Sequence, residues 1–211
     1  PPEIYTLSLH DALPIYKQAI HLFEEAMKFS TNERYFLMSQ SWKSFAQASL
    51  GNFDDPIHRM EQIRAEADKK RWAELWMKSS AHLGISLYLA GNVKEALDVL
   101  KEYGKKAKEL GFGSAGAAFA YVQAKEAIKQ SNYDLVRANG KILLETSTRE
   151  KSLWLQWLAL ELMLAGESEG ELEPANYKIQ LKHVVREINQ SKPAWINFDH
   201  DPNKPSLFGL V

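Results

Sequence analysis

Four short stretches, spaced almost evenly along the chain, restrict its fold more than any other feature. They are Tyr16-Lys17-Gln18-Ala19-Ile20, Gly51-Asn52-Phe53-Asp54-Asp55, Gly91-Asn92-Val93-Lys94-Glu95-Ala96-Leu97 and Ser131-Asn132-Tyr133-Asp134-Leu135. Each joins turn residues or a helix start to an aromatic residue or Val, and an amphipathic run follows. The anchors Tyr16, Phe53, Val93 and Tyr133 are separated by 37, 40 and 40 positions. At 3.6 residues per turn, each interval holds two helices of about four turns and their connections. The period predicts an all-α chain of helix–turn–helix units. A hairpin of this size buries only one side by itself, and stacked neighbours bury the rest.

Local signals agree with this partition. Ser30-Thr31-Asn32-Glu33 and Ser147-Thr148-Arg149-Glu150 have capping-box spacing, which predicts a helix start at each. Lys105, Lys106 and Lys108 precede Gly111, placing cations and a left-handed-tolerant residue at a helix end. Leu83, Leu87, Ala96, Leu97 and Leu100 recur at helical spacing on both sides of Gly91-Asn92. Asn139-Gly140 falls inside the fourth anchored helix and predicts a kinked or shortened element there.

Composition removes several classes of function. The 211 residues carry 26 Lys+Arg against 27 Asp+Glu, a formal net charge of -1, too weak a field to favour nucleic acid or anionic lipid. There is no Cys, so disulfides, thiolate zinc sites and a cysteine nucleophile are excluded, and a reducing compartment fits. The most apolar run, Leu153 to Leu164, includes Gln156 and Glu161 and is shorter than the ~20 residues a bilayer requires, so it reads as a buried helix and no membrane contact is expected. Gly111-Phe112-Gly113-Ser114-Ala115-Gly116 matches a dinucleotide fingerprint in letters only. The run before it, Lys101 to Leu110, is a charged helix where that motif needs a strand. An inter-repeat turn leading into a close-packing Ala-rich helix is the reading it supports. The six histidines form no i,i+4 pair and no HExxH, Asp199-His200-Asp201 reads as a solvated turn, and no Ser/His/Asp set appears. The expectation is no catalysis, no metal and no cofactor.

Tyr16 to Phe29 resembles the second helix of a tetratricopeptide repeat, with Ala19, Phe23 and Ala26 where that family places small, aromatic and small residues. The third unit is the fullest match, through Leu83-Gly84, Gly91-Asn92-Val93, Ala96 and Leu100. Pro56, at a usual small position, marks a departure in the second. The resemblance covers Tyr16 to Leu164, with a possible last pair across Glu173 to Gln190. It implies a right-handed α-solenoid of about four and a half hairpins. The first helix of each unit would line a concave groove, and Ser41, Phe45, Lys78, Tyr88, Tyr121 and Lys125 would project into it. Packing between helices is the alternative for Phe45 and Tyr88. Aromatics with a few cations suit an extended peptide or a partner helix. The chaperone-tail clamp is disfavoured, since Ala81 and Ile85 occupy its places in the third unit. The resemblance therefore implies a non-catalytic protein-interaction scaffold, expected to be cytoplasmic. Units longer than 34 residues resemble the arms of large bacterial signalling ATPases, cyclases and transcription activators. The alternative is accordingly a regulatory arm of such a protein, with its catalytic domain upstream in the intact chain.

The two ends read differently. Residues 191–211 contain three prolines and no period, and a capping tail over the last helix is expected. Glu3 to Ile15 corresponds, codon for codon, to a translated short-read sequencing adapter. Residues 1–15 are thus expected to be non-native, and the repeat domain, residues 16–190, to lack the first helix that would pair with Tyr16–Phe29.

Overall fold

A computed structural model of the chain describes residues 9–110, 116–166 and 174–191. The expected capping tail and most of the glycine-rich 111–116 segment lie outside them. Among the described residues there are nine helices and no strand. They are α1 (Leu9–Phe29), α2 (Glu33–Ser49), α3 (Asp54–Lys69), α4 (Ala73–Leu89), α5 (Val93–Glu109), α6 (Ala117–Lys129), α7 (Tyr133–Glu150), α8 (Leu153–Ala165) and α9 (Pro174–Ser191). The anchors Val93 and Tyr133 begin helices, and Phe53 immediately precedes one.

One turn chemistry closes five of these helices. After α2, the Asn52 N–H donates to Gln47 O and the Gly51 N–H to Ala48 O, the paired bonds of a Schellman ending. The same pair of bonds recurs at Arg71-Trp72, Gly91-Asn92, Ser131-Asn132 and Lys151-Ser152. The residue in the second-to-last place must turn left-handed, with φ of 89° at Gly51 and 87° at Gly91. Arg71, Ser131 and Lys151 adopt φ of 56°, 55° and 52° there despite their Cβ atoms. The Gly-Asn pairs at the repeat boundaries are therefore helix stops, and the next helix begins within two residues of each.

The chain divides into two compact bundles, one formed by α1–α5 and the other by α6–α9. In the first, α1 packs on α2, α2 on α3 and α4, and α4 on α3 and α5. Its interior holds Phe45, Met60, Ile63, Leu75, Ile85, Leu87 and Leu100, all under 3% exposed. Helix α4 is enclosed by its neighbours, with every residue from Leu75 to Leu87 buried except Lys78. Gly84 permits this closeness, because a Cβ there would lie 2.5 Å from the Leu100 side chain on α5. Across α4, the Arg64–Glu102 ion pair and the Lys106–Asp68 pair at 2.6 Å join α3 to α5. Trp76 lies beneath them, with Arg64 5.1 Å and Lys106 3.8 Å from its ring centroid. In the second bundle, α6 packs on α7, α7 on α8, and α8 on both α9 and α6. Val136, Leu143, Leu158 and Leu160 are fully enclosed there.

Four expectations change. The helix containing Tyr16 begins upstream, at Leu9, and Tyr16 is buried at 3% exposure. The cap of α2 is Asn32, whose side chain accepts from the Arg34 and Tyr35 N–H groups; Ser30 only donates to Asn32 O. Ser147 to Glu150 ends α7 instead of starting α8, because Ser147 and Thr148 hydroxyls bond back to Leu144 O. Ser152 caps α8 by accepting from the Leu155 N–H. Finally, α7 continues unbroken through Asn139-Gly140. Asn139 donates to Leu135 O within the helix, and Gly140 leaves room for Met163 of α8, whose Sδ would lie 2.7 Å from a Cβ. That glycine serves close packing. The run Leu153 to Leu164 forms α8, and no helix of the described residues is long and apolar enough to cross a membrane.

Candidate binding surface

Helices α2 and α4 lie side by side, and their facing residues repeat at a forty-residue offset. Ser41 corresponds to Ala81 and Tyr121, Phe45 to Ile85 and Lys125, Trp42 to His82. The first two registers point inward. Ser41 and Phe45 are 0% exposed, Ala81 and Ile85 1%, and Tyr121 6%. The sequence-based groove positions Ser41 and Phe45 are both buried, and they meet each other through one residue, His82.

His82 is wholly enclosed. Its Nδ1 lies 2.8 Å from the Ser41 hydroxyl, and its ring stacks on Phe45 at a centroid distance of 4.9 Å and an interplanar angle of 14°. Trp42 sets an edge against the imidazole at 4.3 Å, and Phe23 of α1 stacks on Trp42 at 6.1 Å. Among the described residues, Nε2 makes no hydrogen bond. Burial, reinforced by the Lys78 charge one helical turn away, pushes the imidazole pKa down to about 3. The ring is neutral at ordinary pH and acts as a polar pin between α2 and α4.

Lys78 and Trp42 stand at the edge of this core. Both are half-buried, and the Lys78 ammonium lies 5.7 Å from the Trp42 ring centroid, within cation–π range. Burial pushes the Lys78 pKa down, against the opposing pull of Glu74. Tyr88 is half-buried near the end of α4. Chemically, the Trp42–Lys78 edge pairs an aromatic face with a partly desolvated cation over a rigid floor.

In the second bundle the same registers carry different chemistry. Tyr121 is buried in α6, and Lys125, one turn on, is half-buried toward Glu161 of α8. Burial pushes Lys125 down and Glu161 up, while each charge opposes the other's shift. Trp157, one turn before Glu161, is 4% exposed, and its indole N–H has no partner among the described residues. The six sequence-predicted positions thus fall into two local groups, one in each bundle.

Trp42 and His82 are the residues that sequence reasoning passed over. Their shared register at forty-residue spacing was a readable signal, but a lone His on an apolar face shows nothing of its partners.

The molecule these observations define is an all-helical array, repeat-like in build, with consecutive helices packed on one another within each bundle. Comparison of the chain with family models, with curated proteins and with solved structures gives no match.

Proposed function

We propose that the chain is a tetratricopeptide-like scaffold, a right-handed superhelix without catalytic function, that binds an extended peptide or a partner helix. The contact would run along the face shared by α2 and α4, the first helices of two hairpins in the first bundle. The observation that carries the reading is the Trp42–Lys78 edge. An aromatic ring held between Phe23 and His82 is already ordered, so a ligand that packs on it meets little further entropy cost. The half-desolvated ammonium beside it favours a ligand carbonyl or carboxylate. Trp and charged partners of this kind form the energetic centres of protein interfaces. In the second bundle, α6 carries a half-buried Lys125 one turn from the buried Tyr121.

A random peptide display selection on the whole chain tests this. Selected peptides should lose binding by tenfold or more, about 1.4 kcal/mol, when Trp42→Ala or Lys78→Glu is introduced. A selection that yields no peptide, or peptides indifferent to both substitutions in folded variants, overturns the reading.

A further inference from the structure

Helix α1 stands at one edge of the first bundle, packed on α2. In the repeat register its Phe23 and Ala26 correspond to Met60 and Ile63 of α3 and to Leu100 and Tyr103 of α5. All four counterparts are buried, whereas Phe23 is half-buried and Ala26 is exposed. Beside them, Leu22 and Phe29 are 55% and 80% exposed. These two occupy the places of Arg59 and Glu66 in α3, so apolar side chains stand on α1 where α3 has charged ones. Single exposed apolar residues are ordinary, but Leu22, Ala26 and Phe29 fall at i, i+4 and i+7 and form one stripe.

The two flanks of this stripe differ. One carries charge of both signs: Glu25 and Lys28 pair at 2.6 Å, and both side chains remain accessible, at 38% and 66% exposure. The other flank, toward Ala19 and Phe23, is apolar. Two helices that pack antiparallel bring like flanks together, and two that pack parallel bring unlike flanks together. Antiparallel pairing of two α1 helices therefore sets charge against charge, and parallel pairing would set it against apolar surface. The register follows as well. A twofold axis beside Ala26 puts Leu22 level with the partner's Phe29 and Glu25 level with the partner's Lys28, each to within one residue, about 1.5 Å of rise. The small Ala26 at that centre lets the two backbones approach closely.

We propose that the Leu22–Ala26–Phe29 face of α1 binds a second copy of this chain, in a twofold dimer whose α1 helices lie antiparallel. Phe29 of each copy covers Leu22 of the other, and the Glu25 and Lys28 side chains exchange ion pairs across the axis. The surface is self-complementary in shape and in charge, which is what an isologous contact requires. It is also small, so the dimer is weak and depends on concentration. The face includes neither Trp42 nor Lys78, and this proposal and the peptide-binding reading do not depend on each other.

The test is sedimentation equilibrium of the whole chain at loading concentrations from about 1 µM to about 1 mM. The parent chain should pass from monomer to dimer and no further, because a twofold contact is closed. Leu22→Glu and Phe29→Glu should each weaken association by about tenfold or more, with helical content unchanged by circular dichroism, since both side chains are exposed. A charge exchange then tests the pairing itself. Glu25→Lys and Lys28→Glu should each weaken self-association by about fivefold, because the twofold axis doubles every reversed contact. An equimolar mixture of those two variants should associate as tightly as the parent. A chain that stays monomeric at every concentration, a dimer indifferent to Leu22→Glu and Phe29→Glu, or a mixture no tighter than its components would each overturn the proposal.

Discussion

Two helical glycines in this molecule look alike in the sequence and should respond oppositely to the same substitution. Replacing a helix-interior Gly by Ala gains about 1 kcal/mol from reduced backbone entropy in the unfolded chain. Against that stands the space available to the new methyl group. At Gly84 the Cβ would lie 2.5 Å from both Cγ and Cδ2 of Leu100, a branched side chain that is itself fully buried. Relief requires Leu100 to leave its rotamer or α5 to shift, at a cost of about 1–3 kcal/mol. Gly84→Ala is therefore expected to be destabilising by about 1 kcal/mol net. At Gly140 the nearest atoms are Sδ and Cγ of Met163, at 2.7 and 3.1 Å, on an unbranched and adaptable side chain. The clash there is smaller than the entropy gain, and Gly140→Ala should be neutral to about 1 kcal/mol more stable. Urea unfolding followed by circular dichroism measures both, and in a domain of this size 1 kcal/mol moves the melting temperature by about 2–4 °C. A double-mutant cycle sharpens the test. Leu100→Ala alone should cost about 2–5 kcal/mol, and adding Gly84→Ala to it should restore part of that loss, a coupling of about 1 kcal/mol. If Gly84→Ala and Gly140→Ala change stability in the same direction, the close approach of α4 and α5 is not what the geometry describes.

Other expectations follow from the same physical terms. His82 is held neutral with a folded pKa of about 3, below its ordinary value of 6.5, so the unfolded chain binds the extra proton. Stability from this residue is complete above pH 6.5 and falls by roughly 1.4 kcal/mol per pH unit between 6.5 and 3. His82→Gln should flatten that part of a stability–pH profile, and an equally steep profile in the variant would contradict the assignment. Arg71 occupies a left-handed position at φ 56°, so Arg71→Gly should stabilise by up to about 1 kcal/mol, read by thermal melting. A loss of stability there would mean that its side chain matters more than its backbone. Lys125→Met alone leaves Glu161 half-buried without its opposing charge and should destabilise by about 1 kcal/mol, whereas Lys125→Met with Glu161→Leu should match or exceed the parent. Denaturant midpoints of the single and double variants decide it.

The sequence by itself determined the all-α class, the helix pairing period and most of the turns. These rest on local chemistry: Gly51 and Gly91 permit the left-handed residue of a helix stop. Ser131 falls at a boundary that the period anticipates although no glycine marks it, whereas the stops at Arg71 and Lys151 carry no such mark in the sequence. Tertiary structure decided which neighbour each face meets. Periodicity places Ser41 and Phe45 on one stripe of α2, yet only the approach of α4 turns that stripe into the wall around His82. Gly140 is a helix breaker by propensity and a contact point once Met163 lies against it. Ser147-Thr148-Arg149-Glu150 fits a helix start by spacing, but its hydroxyls bond backward because α7 already has them in its last turn. Leu22, Ala26 and Phe29 read, one at a time, as ordinary positions of an amphipathic helix. They form an uncovered stripe only because α1 turns another side to α2, a relation between elements that no single stretch of sequence contains.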